Sequence, residues 1–194
     1  MSTCEPARRP DLVLLGLRAS GKSTLGRAAA DLAGAPFFDL DQLVTERSGC
    51  ASVADAFRHL GEARFRDLEA ETLADLLAAR ADARRDDAMH GPAVIALGGG
   101  TPTAPGVASR LQTDAAAGRL RLLLLDATPA TLAARIRADG DGRPSLTGAG
   151  PAEEVEAVAA ARLPLYRALA QVCVDTDSLD PPAALRAVEA AWLA

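Results

Sequence analysis

Gly16-Leu17-Arg18-Ala19-Ser20-Gly21-Lys22-Ser23 is the stretch that decides the fold. It fits the spacing G-x-x-x-x-G-K-[ST], a loop built to cradle phosphate. Its glycines let successive backbone N–H groups turn inward around an anion. A helix starting at its end adds the positive end of a dipole. The flanks agree. Leu12–Leu15 enters as an apolar strand, and Lys22–Ala33 leaves as a helix with Gly34 as its C-cap. In this frame Lys22 reaches the β- and γ-phosphates of a nucleotide, and Ser23 ligates Mg²⁺. Gly16, Ala19, Ser20, Gly21 and Thr24 complete the expected phosphate contacts; Arg18 could touch nucleotide, but reads first as a solvated loop arginine. Lys22 is also the sole lysine of an otherwise Arg-based chain, so the one ammonium falls where the motif needs it.

Outward from this loop, short apolar runs alternate with helical patterns. Strands are expected at Pro36–Asp39, Ala93–Leu97, Arg121–Leu125 and Val172–Asp175 as well as Leu12–Leu15. Helices are expected from a Ser52 cap with Asp55 three positions on, and over Val107–Ala117, Pro129–Ala138 and Ala152–Ala170. Phe65, Leu68, Leu73, Leu76 and Leu77 mark a further apolar helical face. Pro164 should kink or split the Ala152–Ala170 helix. Asp180 and Pro181 open a final helix. Strand–helix alternation predicts an α/β fold, a five-stranded parallel sheet between two helical layers. Residues 11–194 read as one domain, with a substrate-binding region over about 40–80. Residues 1–10 read as a disordered extension, Ala81–Pro92 as an exposed loop, and Asp139–Pro151 as a mobile lid.

Composition removes several function classes. A formal charge of −5 argues against nucleic acid or an anionic membrane as partner. No apolar run approaches the ~20 residues of a membrane span. The polar N-terminus is unlike a signal peptide. Cys4, Cys50 and Cys173 form no metal or disulfide spacing and read as free thiols of a reducing cytoplasm. With His59 and His90 far apart, zinc chemistry and a Ser-His-Asp mechanism lack material.

Phe38-Asp39-Leu40-Asp41 closes the second expected strand. Carboxylates at i and i+2 share a side of an extended chain, and at a strand's carboxyl end they face the ligand crevice. One can serve Mg²⁺ through water while the other bonds a substrate hydroxyl; a solvated strand end reads the same way. Gly98-Gly99-Gly100 follows the third strand and permits close backbone approach, or is a plain loop. Arg64 reads as a solvated helical arginine.

Together GLRASGKSTLGR (16–27), FFDLD (37–41), ARFRDLE (63–69), ALGGG (96–100), GRPSL (142–146), ARLPLYRALA (161–170) and VDT (174–176) resemble the shikimate kinases. The resemblance covers roughly Leu12 to Leu185. It implies a P-loop, nucleoside-monophosphate-kinase-like fold and phosphoryl transfer from MgATP to the 3-hydroxyl of shikimate. Asp39 would support Mg²⁺ through water, and Asp41 would hold the attacking hydroxyl as a catalytic group. Arg66, Arg162 and Gly98–Gly100 would hold the shikimate carboxylate, and Arg143 would come from the lid to the transferring phosphate. Arg137 and Pro181 would lie near the adenine. The chain departs from the family's pattern at Ser145 and at Ala96, which offers no hydroxyl ahead of the glycines. A monomer acting on small molecules is expected. A kinase of another sugar acid such as gluconate, and a sensing module without turnover, are the alternatives.

Overall fold

The computed structural model describes residues 9–85, 91–138 and 154–193. Its strands are β1 (Asp11–Leu15), β2 (Phe37–Asp39), β3 (Val94–Ala96), β4 (Leu120–Asp126) and β5 (Val172–Asp175). They pair in the order β2-β3-β1-β4-β5, every neighbour parallel. The helices among the described residues are α1 (Lys22–Ala33), α2 (Leu40–Ser48), α3 (Val53–Arg85), α4 (Val107–Ala116), α5 (Pro129–Ala138), α6 (Val155–Leu169) and α7 (Pro181–Leu193).

Side-chain alternation along β1 sorts these helices into two layers. Leu12 and Leu14 face a core shared with Leu25 and Ala29 of α1 and Val188 and Trp192 of α7. Val13 and Leu15 face the opposite core, with Val44 of α2, Phe65 and Leu73 of α3, Leu111 of α4 and Tyr166 of α6. Both faces of β1 are therefore dry, and all five of its residues are buried. That is the three-layer arrangement a parallel sheet requires. The loop after central β1 opens at the carboxyl edge, where open α/β sheets bind ligands.

Three expectations change. Residues 40–48 form a helix that apolar spacing does not announce, because only Leu40 and Val44 of its nine residues are buried. The expected loop at Ala81–Pro92 begins later, since α3 runs on to Arg85. Its end is held by Asp11, which accepts from Arg80 Nη2 at 3.1 Å and Arg84 Nη2 at 2.8 Å. Pro164 leaves α6 as one helix from Val155 to Leu169. Its ring lies on the exposed side, and buried Leu163 and Tyr166 hold the inner face in place.

Other termini follow their local chemistry. Asp180 Oδ1 accepts from Ala183 N at 2.7 Å, capping α7. Ser52 Oγ accepts from Asp55 N at 3.1 Å at the start of α3. Gly61, at φ 74° and ψ 163°, interrupts α3 in a conformation reserved for glycine. The expected N-terminal extension lies outside the described residues as far as residue 8. Arg9 and Pro10 dock on α7, with Trp192 Nε1 donating to the Pro10 carbonyl at 2.9 Å. The expected lid, with Arg143, also lies outside the described residues.

Candidate active site

The loop between β1 and α1 lines a cavity of about 510 Å³ with Ala19, Ser20, Gly21, Lys22, Ser23 and Thr24. Gly16 is buried and is not among the lining residues; it turns the chain after β1, where a side chain would collide with the Leu125 carbonyl. Lys22 is buried, and its Nζ donates to the Leu17 carbonyl at 2.8 Å. The ammonium is thus held inside the loop it serves. Pro181 lines the far side of the cavity. Arg135 also lines it, and ties the loop to the residue that follows β5 by donating to the Ala19 carbonyl at 3.3 Å and the Thr176 carbonyl at 2.8 Å. Arg137 is exposed and is not among the lining residues, so α5 presents Arg135 there instead.

At the loop's helical end, Ser23 Oγ donates to Asp39 Oδ2 at 2.5 Å. The other oxygen of Asp39 accepts from Asp41 N at 3.0 Å. The two acids are not alternate residues of one strand. Asp39 ends β2 and caps α2, while Asp41 already lies in the helix's first turn. This capping turn, rather than strand alternation, sets Asp41 among the lining residues of the cavity and Asp39, which does not line it, against Ser23. Hydroxyl and carboxylate oxygens fit a hard divalent cation that completes its shell with phosphate and water.

A second cavity, of about 140 Å³, adjoins the first. Asp41, Arg66, Gly99, Gly100 and Arg162 line it, with Phe57 and Phe65 as an apolar wall. The two rings meet edge to face, 5.4 Å between centroids. Arg66 comes from α3 and Arg162 from α6, so the fold brings together guanidiniums 96 positions apart in the sequence. Arg162 Nη1 donates to the Gly99 carbonyl at 3.2 Å, and the buried Tyr166 hydroxyl donates to the same oxygen at 2.8 Å. Burial pushes the Tyr166 phenol up to about 12, so it remains a donor throughout the neutral range.

Together the cavities set a space lined by Lys22 and Ser23 of the phosphate loop beside one lined by the Asp41 carboxylate and the Arg66 and Arg162 guanidiniums. A family model described as "Shikimate kinase" matches residues 18–191. The chain belongs to the shikimate kinase family. The shikimate kinase of Mycobacterium avium (strain 104) is 37% identical over 177 residues, covering 91% of this chain and 90% of that one. Among solved structures, the shikimate kinase of Acinetobacter baumannii in complex with shikimate superposes with a TM-score of 0.76 at 26% identity, covering 95% of this chain and 91% of that one. That of Bacteroides thetaiotaomicron gives 0.76 at 26% identity, covering 93% and 97%.

Besides Arg135, one residue of this shikimate kinase family member escapes the sequence reading and another sits differently from its expected place. Glu69 is buried between Arg66 and the glycine loop, accepting from Arg66 Nη1 at 2.5 Å and Thr101 Oγ1 at 2.5 Å. Burial raises its carboxyl above the usual carboxylate range, against the opposing pull of Arg66 and Thr101. Its signal was available as an opposite charge three positions from Arg66 on one helix. Arg18, expected to be solvated, is half-buried and lines both cavities. Arg64, by contrast, is exposed and pairs with Glu71 at 2.6 Å, as a surface arginine should.

Proposed function

We propose that the protein transfers the γ-phosphate of MgATP to the 3-hydroxyl of shikimate, giving shikimate 3-phosphate and ADP. The observation that carries this reading is one small cavity lined by Asp41, Arg66, Arg162 and the glycine loop, sharing a border with the phosphate cradle. The structural relative that holds shikimate supports the choice of acid.

Little covalent work falls to the protein in such a transfer. Arg66 and Arg162 present planar forks that match a carboxylate, so the acid is oriented as well as held. Gly99 and Gly100 supply close backbone beside it. Asp41 accepts a hydrogen bond from the attacking hydroxyl and is placed to take its proton. Lys22 neutralises charge on the β- and γ-phosphates, and Pro181 packs near the adenine. Ser23, and Asp39 through water, would hold the metal ion, which when bound draws negative charge from the phosphate oxygens. Arg143 is assigned to the transferring phosphate by its family resemblance. The protein is read as a monomer serving small molecules, since one chain lines both cavities.

A coupled ADP-release assay with shikimate, quinate and gluconate tests the reading. Turnover dependent on shikimate is expected. Release with gluconate alone, or with no acceptor, would remove it.

A further inference from the structure

Four residues border both cavities: Arg18, Asp41, Gly99 and Ile136. Among the described residues Arg18 is the one cation in this set. Lys22 and Arg135 line only the phosphate cavity, and Arg66 and Arg162 only the acid cavity. The position of residue 18 is fixed by backbone packing. Gly99 sits so close that a methyl group on it would come 3.1 Å from Arg18 N. Residue 18 is therefore pinned where the phosphate loop and the glycine loop meet.

A phosphoryl group leaving the cradle for an acceptor in the second cavity must cross the border these residues make. Its three equatorial oxygens carry negative charge throughout, and fixed cations beside that path lower the barrier more than cations holding either ground state. We propose that Arg18 is a catalytic residue of this enzyme, contacting the transferring phosphoryl group from the acceptor side, opposite Lys22. The inference rests on the shikimate kinase reading above. In the step, the shikimate hydroxyl oxygen bonds to the γ-phosphorus while the bond from phosphorus to the β–γ bridging oxygen breaks. That electron pair leaves with ADP, and the hydroxyl proton passes to Asp41. Arg18 changes neither bonding nor protonation; its fork follows the migrating oxygens.

The test compares the unmodified enzyme with Arg18→Met and Arg18→Lys, each checked for an unchanged melting temperature. Arg18→Met should lower kcat about 100-fold or more, the usual loss for a transition-state charge partner. Shikimate KM should stay near that of the unmodified enzyme, and Arg18→Lys should fall between. Calorimetry supplies the second readout. ADP should bind Arg18→Met with unchanged affinity, whereas ADP with aluminium fluoride and shikimate, mimicking the planar phosphoryl group, should bind it far more weakly. Full kcat with undiminished aluminium fluoride binding would overturn the inference while leaving the shikimate reading intact. A raised shikimate KM at unchanged kcat would place Arg18 on the acid instead, and so overturn it too. An unmodified enzyme that binds ADP but never turns over shikimate would remove both.

Discussion

The Arg66 guanidinium lies against Gly100 with no room for a side chain between them. A methyl group on Gly100 would have to displace the arginine from its pairing with Glu69. The arginine's flexible stem can yield, so the cost should fall on function rather than folding. Gly100→Ala is expected to raise shikimate KM about 10-fold or more, the value of one charge-assisted hydrogen bond. Its melting temperature should move little. Steady-state kinetics beside a thermal melt check both halves.

Arg66→Ala and Arg162→Ala each remove one fork from the acid cavity. Shikimate KM should rise about 10- to 100-fold in each, with ATP KM nearly unchanged. Arg162→Ala also releases the Gly99 carbonyl from one of its two donors, leaving Tyr166 to hold it. Unchanged shikimate KM in both variants would contradict the assignment.

Glu69 makes stability depend on pH in a direction that can be stated in advance. Its folded carboxyl titrates above the unfolded value of about 4.3, because burial penalises the charged form. The native state therefore binds the proton more tightly, and the associated stability is complete below that value. It is lost as pH rises through the folded value. Denaturant melts of the unmodified protein and Glu69→Gln across this range should show the unmodified protein losing stability relative to the variant as pH increases. A difference that is flat, or slopes the other way, would contradict the burial argument.

Ala19 is the one described non-glycine residue with positive φ, at 62°. An L-residue in that region costs about 1–2 kcal/mol, against about 0.4–1 kcal/mol of extra chain entropy that glycine adds to the unfolded state. Ala19→Gly should therefore stabilise the protein by between about 0 and about 1.6 kcal/mol. The urea midpoint should rise at constant slope.

Much of this was legible in the sequence. The phosphate loop and its flanking elements follow from spacing alone, and α1 keeps its expected bounds Lys22–Ala33 with Gly34 as C-cap. The strands appear within a residue or two of the apolar runs, because β1, β3 and β4 are buried on both faces. Partners distant in sequence hid the rest. The charges that made 81–92 look like a loop include Arg84, which with Arg80 reaches back to Asp11, an acid at the start of β1. Glu69 looks like an ordinary helix carboxylate until the glycine loop folds over it. Arg18 looks solvated until two cavities are seen to meet beside it. Residues 40–48 bury too few side chains to show a helical period, although the acid pair that starts them was recognised.

The methyl ester of shikimate lacks the carboxylate charge assigned to Arg66 and Arg162, so the kcat/KM ratio of acid to ester is the most direct measurement available. Phosphorylation of shikimate with a ratio of at least about 100 over the ester is the expected result, because the ester forfeits charge assistance from both guanidiniums at once. Equal use of acid and ester, or no phosphorylation of either, would contradict the account.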